Sequence, residues 1–206
     1  MFDDPREHLH LRAARDLAFI REAMSRSAAF TSISGKGSII MGLFAAIGTY
    51  IASLRITPGW WLAAWMWIGL IGALIGLGSM VMKARRSRTP LLRGVGRRFL
   101  VNGLSPILAG GILTVALYGF DAIELMPGTW LLLYGTGLIT GGAFSVRIVL
   151  ITGICFVVLG VFSLVITLVG ISVVIGPLDA PDIMLAMGFG ALHIASGIVI
   201  AKNHGG

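Results

Sequence analysis

Six long runs of apolar residues, none containing an Asp, Glu, Lys or Arg, alternate along the chain with short polar intervals. The runs cover residues 37–54, 60–82, 99–120, 128–144, 148–171 and 183–201. Each approaches the ~20 residues that a helix rising ~1.5 Å per residue needs to cross a ~30 Å hydrocarbon core. The pattern predicts an all-α, polytopic membrane protein of six transmembrane helices in three hairpins. It divides the chain into a cytoplasmic segment 1–36, a membrane domain 37–201 and a short tail 202–206.

Segment 1–36 follows a different period. Asp4-Pro5-Arg6-Glu7 has the form of a helix start, with Asp4 as N-cap, Pro5 at the first helical position and Glu7 placed to answer the cap. Beyond it Leu9, Ala13, Leu17, Ile20 and Met24 recur at helical spacing and share one face. Arg12, Arg15 and Arg26 flank that face on one side and Arg21 on the other. Such an amphipathic helix lies at the cytoplasmic headgroup boundary, its arginines against anionic lipid, or packs its stripe on the ends of the bundle. Phe30 to Gly37 then leads into the first crossing; its GKGS lacks the glycine that a phosphate-binding loop needs where Phe30 stands.

Charge fixes the expected orientation. Six basic residues precede the first run (Arg6, Arg12, Arg15, Arg21, Arg26, Lys36) and seven fill the second-to-third connection (Lys83, Arg85, Arg86, Arg88, Arg93, Arg97, Arg98). Arg147 and Lys202 fall on the same side, whereas the other side holds Arg55 with Asp121, Glu124, Asp179 and Asp182. This positive-inside asymmetry predicts an inner-membrane protein with both termini in the cytoplasm. Arg85, Arg86 and Arg88 thereby join Arg12, Arg15, Arg21 and Arg26 as candidate contacts to anionic lipid. Orientation accounts for the net charge of +7, so nucleic acid is not expected as a partner.

Composition agrees: 56% hydrophobic and 12% charged residues are too apolar for the surface of a soluble domain. Residues 1–36 do not read as a signal peptide, since an apolar core begins only near residue 38. Cys155, the single cysteine, lies inside a predicted helix and excludes an intrachain disulfide.

Within the membrane domain an offset of 69 aligns Pro58-Gly59-Trp60-Trp61-Leu62 with Pro127-Gly128-Thr129-Trp130-Leu131, and Gly42 and Gly72 with Gly111 and Gly141. The first two hairpins therefore read as copies of one unit, with chance similarity as the alternative. Gly72-x-x-x-Gly76, Gly137-x-x-x-Gly141, Ala186-x-x-x-Gly190 and Ala191-x-x-x-Ala195 are expected helix contacts or a homodimer face. Pro106 falls near the expected start of the third helix, where it costs little. The five tryptophans read as an outer interfacial belt, and Arg55, Asp121 and Glu124 as an ion-pair cluster beside it.

Intramembrane polar groups, the usual mark of function, are few. No carboxylate or basic residue falls near the centre of a run, which argues against a pump or coupled transporter built on buried charge. His193 is the exception, with Tyr118, Tyr134, Thr114, Thr136, Thr140, Ser163, Thr167 and Ser196 as available hydroxyl partners. It is read as a neutral, interhelically hydrogen-bonded residue, against the alternative of a proton relay or ligand site. His8, His10 and His204 lie outside the runs, so no metal site is expected, and no nucleophile–base pair marks an enzyme or a cofactor.

Four pieces of sequence resemble a group of uncharacterised bacterial six-helix integral membrane proteins. They are Ile20-Arg21-Glu22-Ala23-Met24-Ser25-Arg26 with Phe30-Thr31 and Gly35, Leu125 to Gly135, Gly141 to Val146, and Gly188 to Ile194. That resemblance implies the six-helix fold and carries over no functional residue. The expected function is a non-catalytic membrane sensor or coupling module, or a subunit of a larger membrane complex, either homo-oligomeric or with another membrane protein. A small-solute transporter or channel is the alternative.

Overall fold

The structure, a computed structural model, describes Arg12 and residues 15–17, 19–20, 30–57 and 59–204. Among these, six long helices account for most of the chain: α1 Gly35–Ser53, α2 Trp60–Arg86, α3 Gly94–Gly119, α4 Met126–Gly142, α5 Arg147–Val169 and α6 Ala180–His204. Their limits are set by local chemistry. Ser34 caps α1 by accepting a hydrogen bond from the Gly37 amide at 3.1 Å. Gly170, at φ 74°, ends α5 in the left-handed conformation that a residue without Cβ adopts at little cost. Asp179 caps α6 through the Asp182 amide at 3.0 Å.

Five of these helices, all but α4, are long and apolar enough to cross a membrane. α4 has 17 residues and follows directly on a 3₁₀ turn, Ile123–Leu125. Several expected boundaries shift. α2 runs to Arg86 rather than residue 82 and α3 begins at Gly94 rather than 99, because helical hydrogen bonding continues past the end of an apolar run. The connection between α5 and α6 carries a two-residue antiparallel pair, Val174–Ile175 with Leu178–Asp179, which the all-α expectation did not include.

The expected start of the third helix misplaced Pro106, which lies well inside α3. A proline there removes the amide that would bond the carbonyl four residues earlier. That carbonyl, of Asn102, instead accepts from Thr140 Oγ1 on α4 at 2.9 Å, so the broken bond becomes an interhelical one.

Packing follows glycine, at a spacing different from the one expected. Gly35 and Gly42 on α1 face Gly197 and Gly190 on α6: a Cβ on Gly42 would stand 2.6 Å from the Gly190 carbonyl oxygen, and one on Gly197 2.7 Å from that of Gly35. Gly128 and Gly135 on α4 face Gly160 and Gly153 on α5, where Gly135 and Gly153 would each put a Cβ 2.8 Å from the other's carbonyl oxygen. Two antiparallel zippers result, with glycines two turns apart on each helix. Of the expected four-residue motifs, Gly137 and Gly141 do meet α3, at Gly103 and Phe99. Gly72 has nothing within 4 Å, and Ala191 and Ala195 are exposed, so these residues make no helix contact within the chain.

The third hairpin is looser than the other two: α5 and α6 touch, yet each packs mainly on another helix. α1 pairs with α2 and α3 with α4 as expected, but the main neighbour of α6 is α1 and that of α5 is α4. The order around the bundle is α2, α1, α6, then α5 and α4, then α3. α2 and α3 scarcely touch.

Bonds at each end lock this arrangement. At the end rich in basic residues, Phe30 N donates to Phe144 O at 2.8 Å and Ser145 Oγ to Phe30 O at 2.6 Å. Lys83 Nζ there spans the Ile33 and His204 carbonyls at 2.9 and 2.8 Å. At the opposite end Arg55 Nη2 bonds Asp179 at 2.5 Å and Asp182 at 3.2 Å, in place of the expected partners Asp121 and Glu124. Asp182, fully buried, also accepts from Trp61 Nε1 at 2.7 Å, joining the α1–α2 connection, α2 and α6.

Candidate functional site

The gap between α2 and α3 is a cleft of about 550 Å³, open sideways and running much of the length of the bundle. Its walls are Met66, Gly69, Gly72, Ala73 and Gly76 of α2 against Leu100, Gly103, Leu104, Ile107 and Gly111 of α3. Its floor is formed by α1, α4, α5 and α6. Of the α2 pair expected to make a helix contact or a homodimer face, Gly76 meets Met41 of α1 while Gly72 lines open space.

His193 lies on this floor. It follows a wide π-helical turn, Ala186–Leu192, within α6, a feature that often accompanies functional positions. Its Nε2 is 2.7 Å from the Tyr134 hydroxyl on α4. Tyr134, Phe156 and Phe189 pack around the imidazole with ring centroids 5.3, 5.3 and 6.1 Å away. The carbonyls of Gly188 and Phe189 lie close to the ring, yet neither reaches hydrogen-bond geometry at Nδ1. Two nearby acceptors favour the tautomer with hydrogen on Nδ1, leaving Nε2 to accept from the Tyr134 O–H. The Trp65 indole nitrogen, also buried beside the cleft, has no hydrogen-bond partner among the described residues.

The other hydroxyls of the cleft are turned onto their own helices. Ser38 donates to Ser34 O, Ser79 to Gly76 O, Thr114 to Gly110 O, Thr152 to Ile148 O and Ser196 to His193 O. They soften the polarity of the lining without presenting free donors.

Toward the Arg55 end the cleft is closed by tryptophan. Trp61 and Trp130, the pair aligned by the repeat, stack at 5.6 Å with their rings 7° from parallel, and Trp130 Nε1 donates to Thr114 Oγ1 at 2.8 Å. Trp61 and Trp65 are about 95% buried, so they are core residues and not the interfacial belt expected; Trp67 alone among the five is largely exposed.

The arginines marked as lipid contacts separate into groups. Arg12 and Arg15 are helical and exposed, whereas Arg21 and Arg26 lie outside the described residues, as do Leu9, Ala13 and Met24 of the predicted stripe. Arg85 and Arg86 end α2, Arg88 follows in a turn at φ 52°, and all three are exposed at the basic end of the cleft. Thr89 in the same connection meets Ser32 at 2.6 Å, fixing it against the start of α1.

The geometry defines a helical protein, five of whose helices are long and apolar enough to cross a membrane, with a lateral, mainly apolar cleft and a buried histidine–tyrosine pair. Among the described residues no cluster of His, Cys, Asp and Glu is arranged to hold a metal ion. Comparison of the chain with protein-family models, curated proteins and solved structures returns no match.

Proposed function

We propose that the chain is a six-crossing protein of the bacterial inner membrane, both termini cytoplasmic, that works without catalysis as a sensor or coupling module or as a subunit of a larger membrane complex. The lateral cleft carries this reading. Two helices adjacent in sequence stand apart, while glycine zippers seal the rest of the bundle. Surface left open at bilayer depth serves for what arrives from the bilayer. Six crossings are supported by the segregation of basic and acidic ends and by α4, whose 17 residues rise about 26 Å at ~1.5 Å each. Membership in the bacterial six-helix group rests on the four sequence pieces alone.

A transport reading is favoured by one observation, the succession of hydroxyls along the cleft. Against it, those groups are bonded to their own helices and stacked indoles close one end. Extraction in native lipid discs separates the two. The module reading expects a membrane protein, a second copy or another chain, to co-isolate in fixed ratio, and vesicles of pure protein to be no leakier than empty ones. A solitary protein that conducts a solute would sink it.

A further inference from the structure

The cleft has one apolar length and one charged mouth. Above the apolar walls, the faces that line it continue into the α2–α3 connection. On α2, Arg86 lies seven residues beyond the lining residue Ser79; on α3, Arg97 lies three residues before the lining residue Leu100, and Arg93 immediately precedes the helix. At helical spacing Arg86 and Arg97 share the faces that form the walls, Arg93 is the extended N-cap residue of α3, and all three are exposed. No Asp or Glu lies between residues 30 and 120, so nothing on α1, α2, α3 or their connections offsets the charge.

We infer that this cleft binds an anionic phospholipid, one acyl chain lying between α2 and α3 and the phosphate held by Arg86, Arg93 and Arg97. An acyl chain matches what the walls offer: methylene-sized apolar contact along glycines, with no demand for hydrogen bonds at depth. Guanidinium groups at the mouth supply the paired donors that a phosphate accepts. The opposite end cannot take the headgroup, because the Trp61–Trp130 stack and the bonded Arg55–Asp182 group fill it. The inference rests on the proposed module and names what that module receives.

The test is native mass spectrometry of the purified full chain titrated with phosphatidylglycerol and, separately, phosphatidylcholine of identical chains. One phosphatidylglycerol is expected to bind first and to survive conditions that strip the rest. Arg86→Gln and Arg97→Gln should each reduce its advantage over phosphatidylcholine roughly five-fold, the effect of one arginine near an anionic surface. Gly72→Trp puts an indole into the cleft from a position whose Cβ meets nothing within 4 Å, and should abolish the tight step. Gly111→Leu, equally open, should do the same. Leu74→Trp, on the exposed face of α2 away from the cleft, should leave it intact. Equal binding of the two lipids, a tight step that survives both cleft-filling variants, or loss of preference to inorganic phosphate alone would each overturn the inference. Partner isolation is a separate readout, so failure here leaves the module reading to be judged by its own experiment.

Discussion

Burying His193 among Tyr134, Phe156 and Phe189 leaves the imidazole with a single side-chain hydrogen-bond partner among the described residues, so that bond should carry a measurable share of stability. Tyr134→Phe keeps the ring and removes the hydroxyl; His193→Leu removes the other half. Each is expected to lower stability by about 1 kcal/mol, the scale of an interhelical hydrogen bond in membranes, read as a shift in the detergent unfolding midpoint. His193→Gln keeps a donor and an acceptor and should lose less. The double variant should cost little more than either single one, because both remove the same bond; additive losses would show that the two residues act separately. The sequence drew attention to His193 because a lone titratable residue in an apolar run stands out. It could not choose Tyr134 among many hydroxyls, since partnership depends on rotation of α4 against α6. Asp182 was missed for a related reason: at a helix start it reads as an ordinary outer carboxylate, and only the fold brings Arg55 and Trp61 to it.

At the scale of elements, existence was readable and contact was not. Absence of charge over about 20 residues is a one-dimensional signal, and the helices stand where the runs stand. Which face packs is a two-dimensional matter, and the search for small residues four apart selected Gly72, which borders open space. The informative spacing was seven: Gly35 and Gly42, Gly128 and Gly135, Gly153 and Gly160, Gly190 and Gly197. The two classes of glycine should separate cleanly on substitution. Gly135→Val meets the Gly153 carbonyl and the Val157 amide, both backbone, and Gly42→Val meets Gly190 and Ile194. Each is expected to cost 1–3 kcal/mol, the usual range for forced overpacking, whereas Gly72→Val should fall within about 0.5 kcal/mol of the parent, as substitutions away from packed sites do. Equal losses at Gly72 and Gly135, measured by the same unfolding midpoint, would contradict the zipper.

Across the whole molecule, orientation is the testable quantity. Under the proposed topology a reporter after His204 or within 87–93 reads cytoplasm, and one within 121–124 or 176–178 reads the exterior. A cytoplasmic signal from either outer loop would remove the six-crossing arrangement. The cleft itself was out of reach of sequence, because helices joined by a short connection are normally expected to pack together, and here the α2–α3 connection spans a gap. The pairing of α1 with α6 has a further consequence, for biogenesis. During synthesis α1 emerges first of the six helices and its glycine-lined partner last, so the face bearing Gly35 and Gly42 must wait through four intervening helices before it is covered. Contacts so distant in sequence form late. The nascent protein therefore passes through a stage in which α4 and α5 can already have closed on each other while α1 stands uncovered, and that interval is when a membrane chaperone or a quality-control protease would find it.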